Sequence, residues 1–269
     1  MTTNLDRANI KPRGLLKPKT SQKHFKLDMY SPPVGLETIV GVVWHVHWAL
    51  PPGQVYRQSN LPHPVQHIVL DPIRGSGLVG CSTKRFDYDI TGTGQVIGLK
   101  LFPGMGRAFF NGAMSRLTDQ RVELESLIGT HAQTLESDMR TKRPLSDIIS
   151  KFGEKIAEIS SLPNEPMMDA RHAVEFIQTS QRVFRVKDLA KQFGWTERHL
   201  QRLFADYVGV SPKWVIDRYR MLEAVDVLNT GSAINLAELA LDLEYVDQAH
   251  FSNKFKEITG ISPSIYLQQ

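Results

Sequence analysis

The chain has 269 residues, 41% of them hydrophobic and 22% charged, with a formal net charge of +4, a profile that fits a globular protein of two ordinary-sized domains. No apolar run approaches the ~18 residues a membrane helix needs, the longest being the strand-sized "IVGVVW" at 39–44. The single cysteine, Cys81, excludes an intrachain disulfide framework and a cysteine-cluster metal site; with no apolar signal segment at the N-terminus, a cytoplasmic protein is expected.

Residues 1–27 come first and are strongly basic. Arg7, Lys11, Arg13, Lys17, Lys19, Lys23 and Lys26 stand against Asp6 alone, a balance of +6. Such a stretch reads as a solvated, mobile arm. From 30 to 101 the pattern is of strands, with "TIVGVVWHVHW", "QHIVLD", "GLVGCST" and "QVIGLKLF" separated by "PPG", "LPHP", "DPIRGSG" and "TGTG". Short strands with turn chemistry between them predict a β-rich sandwich or a barrel, cupin-like among the barrels, over 28–116.

Within that region "WHVHW" places His45 and His47 on one strand face and invites a metal reading. A cupin metal site also wants a nearby glutamate and a distant histidine. No glutamate follows closely, and His63 and His67 would join only if the fold brought them there. The expectation is therefore that Trp44, Val46 and Trp48 form core, that the histidines are partly exposed or hydrogen-bonded, and that there is no metal or other cofactor. "DYD" puts Asp87 and Asp89 on one strand face, which reads as a solvated edge. No Ser-His-Asp order is recognisable, and "GTGQVIG" lacks the lysine of a phosphate loop. No catalytic residue is assigned and no enzyme is expected.

From 117 to 162 the period becomes helical, through "LTDQRVELESLIGTHAQTLESDM" and "PLSDIISKFGEKIAEIS". Leu145, Ile148, Ile149, Phe152, Ile156 and Ile159 form one stripe. Leu145, Ile149, Phe152 and Ile156 could be a dimer seam, or the stripe could lie against the barrel; the spacing fits either. "SLPNEP" at 161–166 breaks the helix and marks a domain boundary, and 167–269 reads as helix throughout.

That last region contains a repeat. "YVGVSPKWV" at 207–215 and "ITGISPSIY" at 258–266 each combine a helix-stopping glycine (Gly209, Gly260), a capping serine (Ser211, Ser262) and a first-turn proline (Pro212, Pro263). Upstream of each stands a short helix, a tight turn and a second helix, with one extra residue in the second copy's turn. This is a helix-turn-helix written twice, joined by a helix over 212–229. If Leu200, Leu203, Phe204 and Tyr207 point inward, Arg198 and Arg202 point outward one turn apart, flanked by Gln201. Two arginines and a glutamine on an exposed helix suit the major groove.

"LAKQFGWTERHLQRLFADYVGVSPKWVIDRYRMLEA" and "YVDQAHFSNKFKEITGISPSIY" resemble the tandem helix-turn-helix domain of AraC/XylS-type bacterial transcription regulators. The resemblance implies a sequence-specific regulator that reads double-stranded DNA and has an N-terminal domain for sensing or dimerising. RNA polymerase, an unidentified small-molecule effector and a second copy of the chain are compatible partners. The family's base-reading positions fall on Arg198, Gln201 and Arg202 in the first unit and on Gln248, Ala249 and Asn253 in the second. Thr196, Lys213, His250, Lys254 and Lys256 are candidates for the DNA backbone. Glu244 stands where the family usually has glycine, which leaves the tightness of that turn open. Charge is asymmetric too: residues 171–220 carry ten basic and five acidic groups, residues 221–269 two basic and seven acidic. The first unit is therefore expected to lead. The rival reading is a small-molecule-binding or enzymatic barrel whose helical domain no longer binds DNA.

Overall fold

The computed structural model describes residues 5–10, 12–141, 143–180, 185–231 and 234–268. Lys11, one of the basic groups of the N-terminal arm, lies outside the described residues. Six strands form one antiparallel sheet in the order β1 (Lys26–Tyr30), β2 (Val40–Ala49), β7 (Thr93–Leu101), β4 (His67–Leu70), β5 (Gly77–Val79), β8 (Arg121–Glu123). Strands β3 (Val55–Asn60) and β6 (Phe86–Thr91) pair as a separate antiparallel ribbon. The expected sandwich or barrel is resolved in favour of layers: β1 and β8 remain separate edges and the sheet does not close.

Alternation along the strands sends side chains to two different layers. On one face Val43, Ile97, Leu99 and Ile68 meet helices α2 (Leu124–Ile128), α3 (His131–Met139) and α4 (Leu145–Ile159). On the other, Trp48 and Val96 pack with Phe25 and with Ile90 of the ribbon. Both faces of β2 are thus covered, so Trp44, Val46 and Trp48 do belong to a core, while His45 on the opposite face is buried as well.

Residues 121–123, expected to open a helix, instead pair with β5 through Leu78↔Val122. A free sheet edge offers ladder partners that a weak local helical preference does not outweigh. The helices that follow belong to the same core, so the β-rich domain continues past 116 and the segment 117–162 is not a detached linker. The stripe on α4 is spent there too. Ile148, Ile149, Phe152 and Ile156 are buried and Leu145 is partly buried in the sheet's own core, which leaves no dimer seam on that face.

Asn164 caps α5 (Glu165–Thr179) by accepting from Met167 N. Met167 lies in the sheet core, whereas Ala170, Ala173, Val174 and Ile177 lie in a second core. The chain therefore crosses between domains inside one helix. The second core gathers α6 (Val186–Gln192), α7 (Glu197–Leu203), α8 (Pro212–Leu228), α9 (Leu236–Asp242), α10 (Gln248–Thr259) and α11 (Pro263–Leu267), with Phe204, Leu222, Phe251 and Phe255 at its centre. No helix among the described residues is long and apolar enough to cross a membrane.

The basic N-terminal segment is not a free arm. Ala8 N donates to Met29 O, Leu61 N to Gly14 O and Leu16 N to Ser59 O, tying the segment to β1 and to the end of β3. Gly14 has φ +82°, and a Cβ there would stand 2.3 Å from Leu61 O, so only glycine permits the approach. After that contact Arg13 reaches α8, with Nε 2.5 Å from Asp226 and Nη2 3.6 Å from Glu223. The short helix α1 (Pro18–Ser21) begins beside Tyr266, whose hydroxyl accepts from Lys17 N at 3.1 Å. The expectation of a mobile arm considered only charge; Leu16, buried among the C-terminal helices, is what anchors it.

Burial of the α4 stripe fixes one outcome. The double variant Ile149→Glu, Ile156→Glu is expected to lose the cooperative thermal transition seen by circular dichroism. Each unpaired carboxylate would cost several kcal/mol against a total stability of roughly 5–15 kcal/mol. A folded monomer would show that the stripe is not core.

Candidate nucleic-acid interface

The two helical units are built alike from their hydrogen bonds upward. In the first, α6 ends at a turn where Trp195 N donates to Ala190 O at 2.9 Å; in the second, α9 ends where Tyr245 N donates to Ala240 O, also at 2.9 Å. Thr196 caps α7 by accepting from His199 N, and Asp247 caps α10 by accepting from His250 N. The spacing is 50 residues up to Trp195 and Tyr245 and 51 from the caps onward. The extra residue in the second turn is thus Val246, which stands 81% exposed.

Glu244 answers the question left by its sequence position. It adopts φ 55° where Gly194 adopts 67°, so the second turn is as tight as the first and is held by a residue that fits it poorly. Arg220 of α8 braces this turn, donating from Nε to Leu243 O at 2.7 Å and lying 4.2 Å over the Tyr245 ring.

Helix α7 continues as one π-helical turn, Phe204–Val208, and stops at Gly209 with φ 98°. Leu200, Leu203 and Phe204 are buried, and Arg198, Gln201 and Arg202 stand exposed on the opposite face, as the helical wheel requires. Neither arginine has an ion-pair partner among the described residues. In α10, Phe251 and Phe255 are buried while Gln248, Ala249 and Asn253 are exposed. Ser211 and Ser262 cap α8 and α11 as the repeated turn predicts.

The backbone candidates are placed less simply. Thr196 Oγ1 is engaged in its cap. Lys213 Nζ lies 2.7 Å from Asp217 and Lys254 Nζ 2.8 Å from Glu257. Lys213, His250 and Lys254 line a cleft of about 770 Å³ whose far wall is the β-domain segment Thr83, Lys84 and Arg85. They therefore face the other domain across a gap. Lys256 is exposed.

That wall belongs to a set of contacts the sequence did not disclose. Gln66 Nε2 and Cys81 Sγ donate to Val208 O at 2.7 and 3.1 Å, and Thr118 Oγ1 donates to Gly209 O at 2.5 Å. Arg85 Nη1 donates to Thr259 O at 2.7 Å. From the helical side, buried Arg218 donates to Thr83 O at 2.7 Å and lies 4.4 Å over Trp214. Burial, opposed by Cys81 and Asp119, brings its pKa down to about 10, so it remains charged at neutral pH. Burial also pushes the Cys81 thiol up to about 12, which makes it a packing group rather than a nucleophile.

The remaining candidate chemistry separates into two places. Asp87 and Asp89 are each held below their ordinary range, chiefly by hydrogen bonds from Arg85 and Arg57 respectively, which is the opposite of what a general acid needs. His63 and His67 do not join His45 and His47. His67 Nδ1 accepts from Trp44 Nε1 at 3.1 Å, and His63 Nε2 lies 3.2 Å from Arg13 O. His45 and His47 instead meet Asp28 of β1, whose register partner is His45 itself. A search for a carboxylate after the histidines misses one contributed by the strand before them.

Comparison with known proteins follows the same division. Residues 189–269 match a family described as a helix-turn-helix domain, and residues 28–123 match a domain of unknown function (DUF6597). The transcriptional activator AarP of Providencia stuartii is 38% identical over 79 residues, 29% of this chain and 58% of that protein. The lactose operon transcription activator of Staphylococcus xylosus is 32% identical over 146 residues, 52% of each chain. The C-terminal domain is of the AraC/XylS helix-turn-helix type. This chain spans little more than half the length of those two relatives. Among solved structures, ToxT of Vibrio cholerae is 14% identical over 91% of this chain and 98% of its own, with a TM-score of 0.41.

The paired turns of the AraC/XylS-type domain allow a direct check. A methyl group added at Gly194 would meet no atom within 4 Å, so this position is constrained only by its backbone. Gly194→Ala is expected to destabilise the chain by about 1 kcal/mol, and Glu244→Gly to stabilise it by a few tenths, since relief of the left-handed strain exceeds the added chain entropy. Urea unfolding of both variants would show opposite shifts; shifts of the same sign would refute the account of the turns.

Proposed function

We propose that the chain is a bacterial, cytoplasmic transcription regulator that binds double-stranded DNA in sequence-specific fashion, mainly through its first helix-turn-helix. The observation that carries this reading is the outer face of α7, where Arg198, Gln201 and Arg202 stand exposed, the arginines unpaired among the described residues, on a helix whose other face is fully buried. Each arginine can present two donors to a guanine edge, a contact worth about 1–3 kcal/mol of discrimination. Ala249 offers a methyl and Asn253 a short amide, so the second unit contributes less.

The β-rich domain is the sensing part in this proposal, with a small molecule or a second copy of the chain as its signal. The names of the two curated relatives favour activation, hence RNA polymerase as an eventual partner. Catalysis has no support in the groups described: the paired aspartates are stabilised as anions and the thiol is buried.

A randomised-site selection with the full chain tests this. Arg202→Ala is expected to relax the preference at one base of a strongly specified segment and to weaken specific binding at least tenfold. Asn253→Ala is expected to cost far less, over a loosely specified segment one helical turn away. Two equally sharp half-sites would sink the asymmetry, and no specific sequence from any pool would sink the regulator.

A further inference from the structure

Asp28, His45 and His47 form a cluster that the DNA-binding reading does not use. Their donor atoms all lie within 4.8 Å of one another. Asp28 Oδ2 is already 3.4 Å from His47 Nε2, and the two imidazole rings stack with centroids 4.9 Å apart. A dication held at about 2.0–2.2 Å by each of three ligands keeps those ligands roughly 3 Å apart, so closure requires only side-chain adjustment.

The surroundings select the free atom. Gln95 Nε2 donates to Met139 O at 2.8 Å, which turns its Oε1 toward His45 Nε2 at 2.9 Å. His45 Nε2 must then carry the hydrogen, and Nδ1 keeps the lone pair. That Nδ1 is buried and has no hydrogen-bond partner, on a residue only 6% exposed. An unsatisfied buried acceptor is costly in a folded chain and calls for a partner. Gln95 meanwhile occupies the position of the outer-sphere group that orients a ligating histidine. Arg7 sits 3.3 Å from Asp28 Oδ1, leaving Oδ2 for a cation.

We propose that Asp28, His45 and His47 bind one first-row transition-metal dication. Two imidazoles and one carboxylate suit zinc, nickel, cobalt or iron(II) better than calcium or magnesium, which prefer all-oxygen sets. Three protein ligands leave coordination positions open toward a cavity of about 870 Å³ lined by His45, His47, Gln95, Met139 and Arg140. The site has the room for water or an exogenous donor to complete the shell. The inference is independent of DNA binding.

Titration calorimetry of the chelator-treated full chain with zinc chloride and with cobalt chloride tests it. Wild type is expected to bind one ion per chain with a dissociation constant below about 10 µM, a threshold corresponding to roughly 7 kcal/mol, and to gain thermal stability on addition. His47→Ala and Asp28→Asn, both at partly exposed positions, are expected to lose at least 100-fold in affinity and the thermal gain. Gln95→Leu is expected to lose about 10–100-fold. No binding by wild type would overturn the proposal. So would unchanged stoichiometry and affinity in the His47 and Asp28 variants, which would assign the ion to exposed His131, His172 or His250.

Discussion

A helix leaves its last carbonyls without intrahelical partners, and where they find them decides what the helix is attached to. Here the carbonyls at the ends of both outward-facing helices are satisfied by the β-rich domain. Val208 and Gly209 accept from Gln66, Cys81 and Thr118, and Thr259 accepts from Arg85. Cys81, Thr83 and Arg85 all belong to the single connection between β5 and β6, which thus touches the first unit, α8 and the second unit. A hydrogen bond to a charged donor contributes about 1.5–3 kcal/mol, and losing it strands a carbonyl in a partly buried setting. The separation of the two helices is consequently tied to the conformation of six residues in the other domain. That connection joins the sheet to both helical units through hydrogen bonds.

The charge pattern completes the attachment. Residues 221–269 carry a balance of −5, which as a sequence looked like a poor DNA surface and nothing more. Part of the acidic charge on α8, Glu223 and Asp226, is paired with Arg13 of the N-terminal segment. Attraction between Arg13 and these two carboxylates is partly screened at the surface. Leu16 and the glycine approach at Gly14 do the anchoring that charge alone would not.

How far the sequence could be read follows from the range of each interaction. The helical units depend on neighbours within about ten residues: caps at Ser211 and Ser262, stops at Gly209 and Gly260, an apolar stripe at Leu200, Leu203 and Phe204. All of these were legible. Strand β6 was legible only at "DYD", and β3 was not, because "VYRQSN" is mostly polar and takes its register from β6, as in Arg57↔Asp89. The fate of the α4 stripe was undecidable from spacing, since a dimer partner and a sheet bury the same residues. The N-terminal segment was misread because its partners lie outside any local window, on β1, after β3 and, for Arg13 and Lys17, more than 200 positions away. The Asp28–His45–His47 grouping needed the β1–β2 register, which no local pattern supplies.

The two units show how a repeated fold can share one architecture and divide its tasks. The second turn absorbs Val246 and holds Glu244 in a left-handed conformation, yet keeps the same 2.9 Å hydrogen bond as the first. It does so because Arg220, reaching over from α8, fixes Leu243 and Tyr245 independently of the turn's own preferences. Strain at Glu244 is therefore tolerated by bracing from outside the unit. In the first unit the glycine makes bracing unnecessary, and the arginines of α7 stay unpaired at the surface among the described residues. In the second, Lys254 is held by Glu257 and faces the cleft toward the β domain. The second helix thus carries a lysine that is paired and turned toward the cleft, whereas the first presents two exposed arginines, a difference of the same sense as the charge distribution.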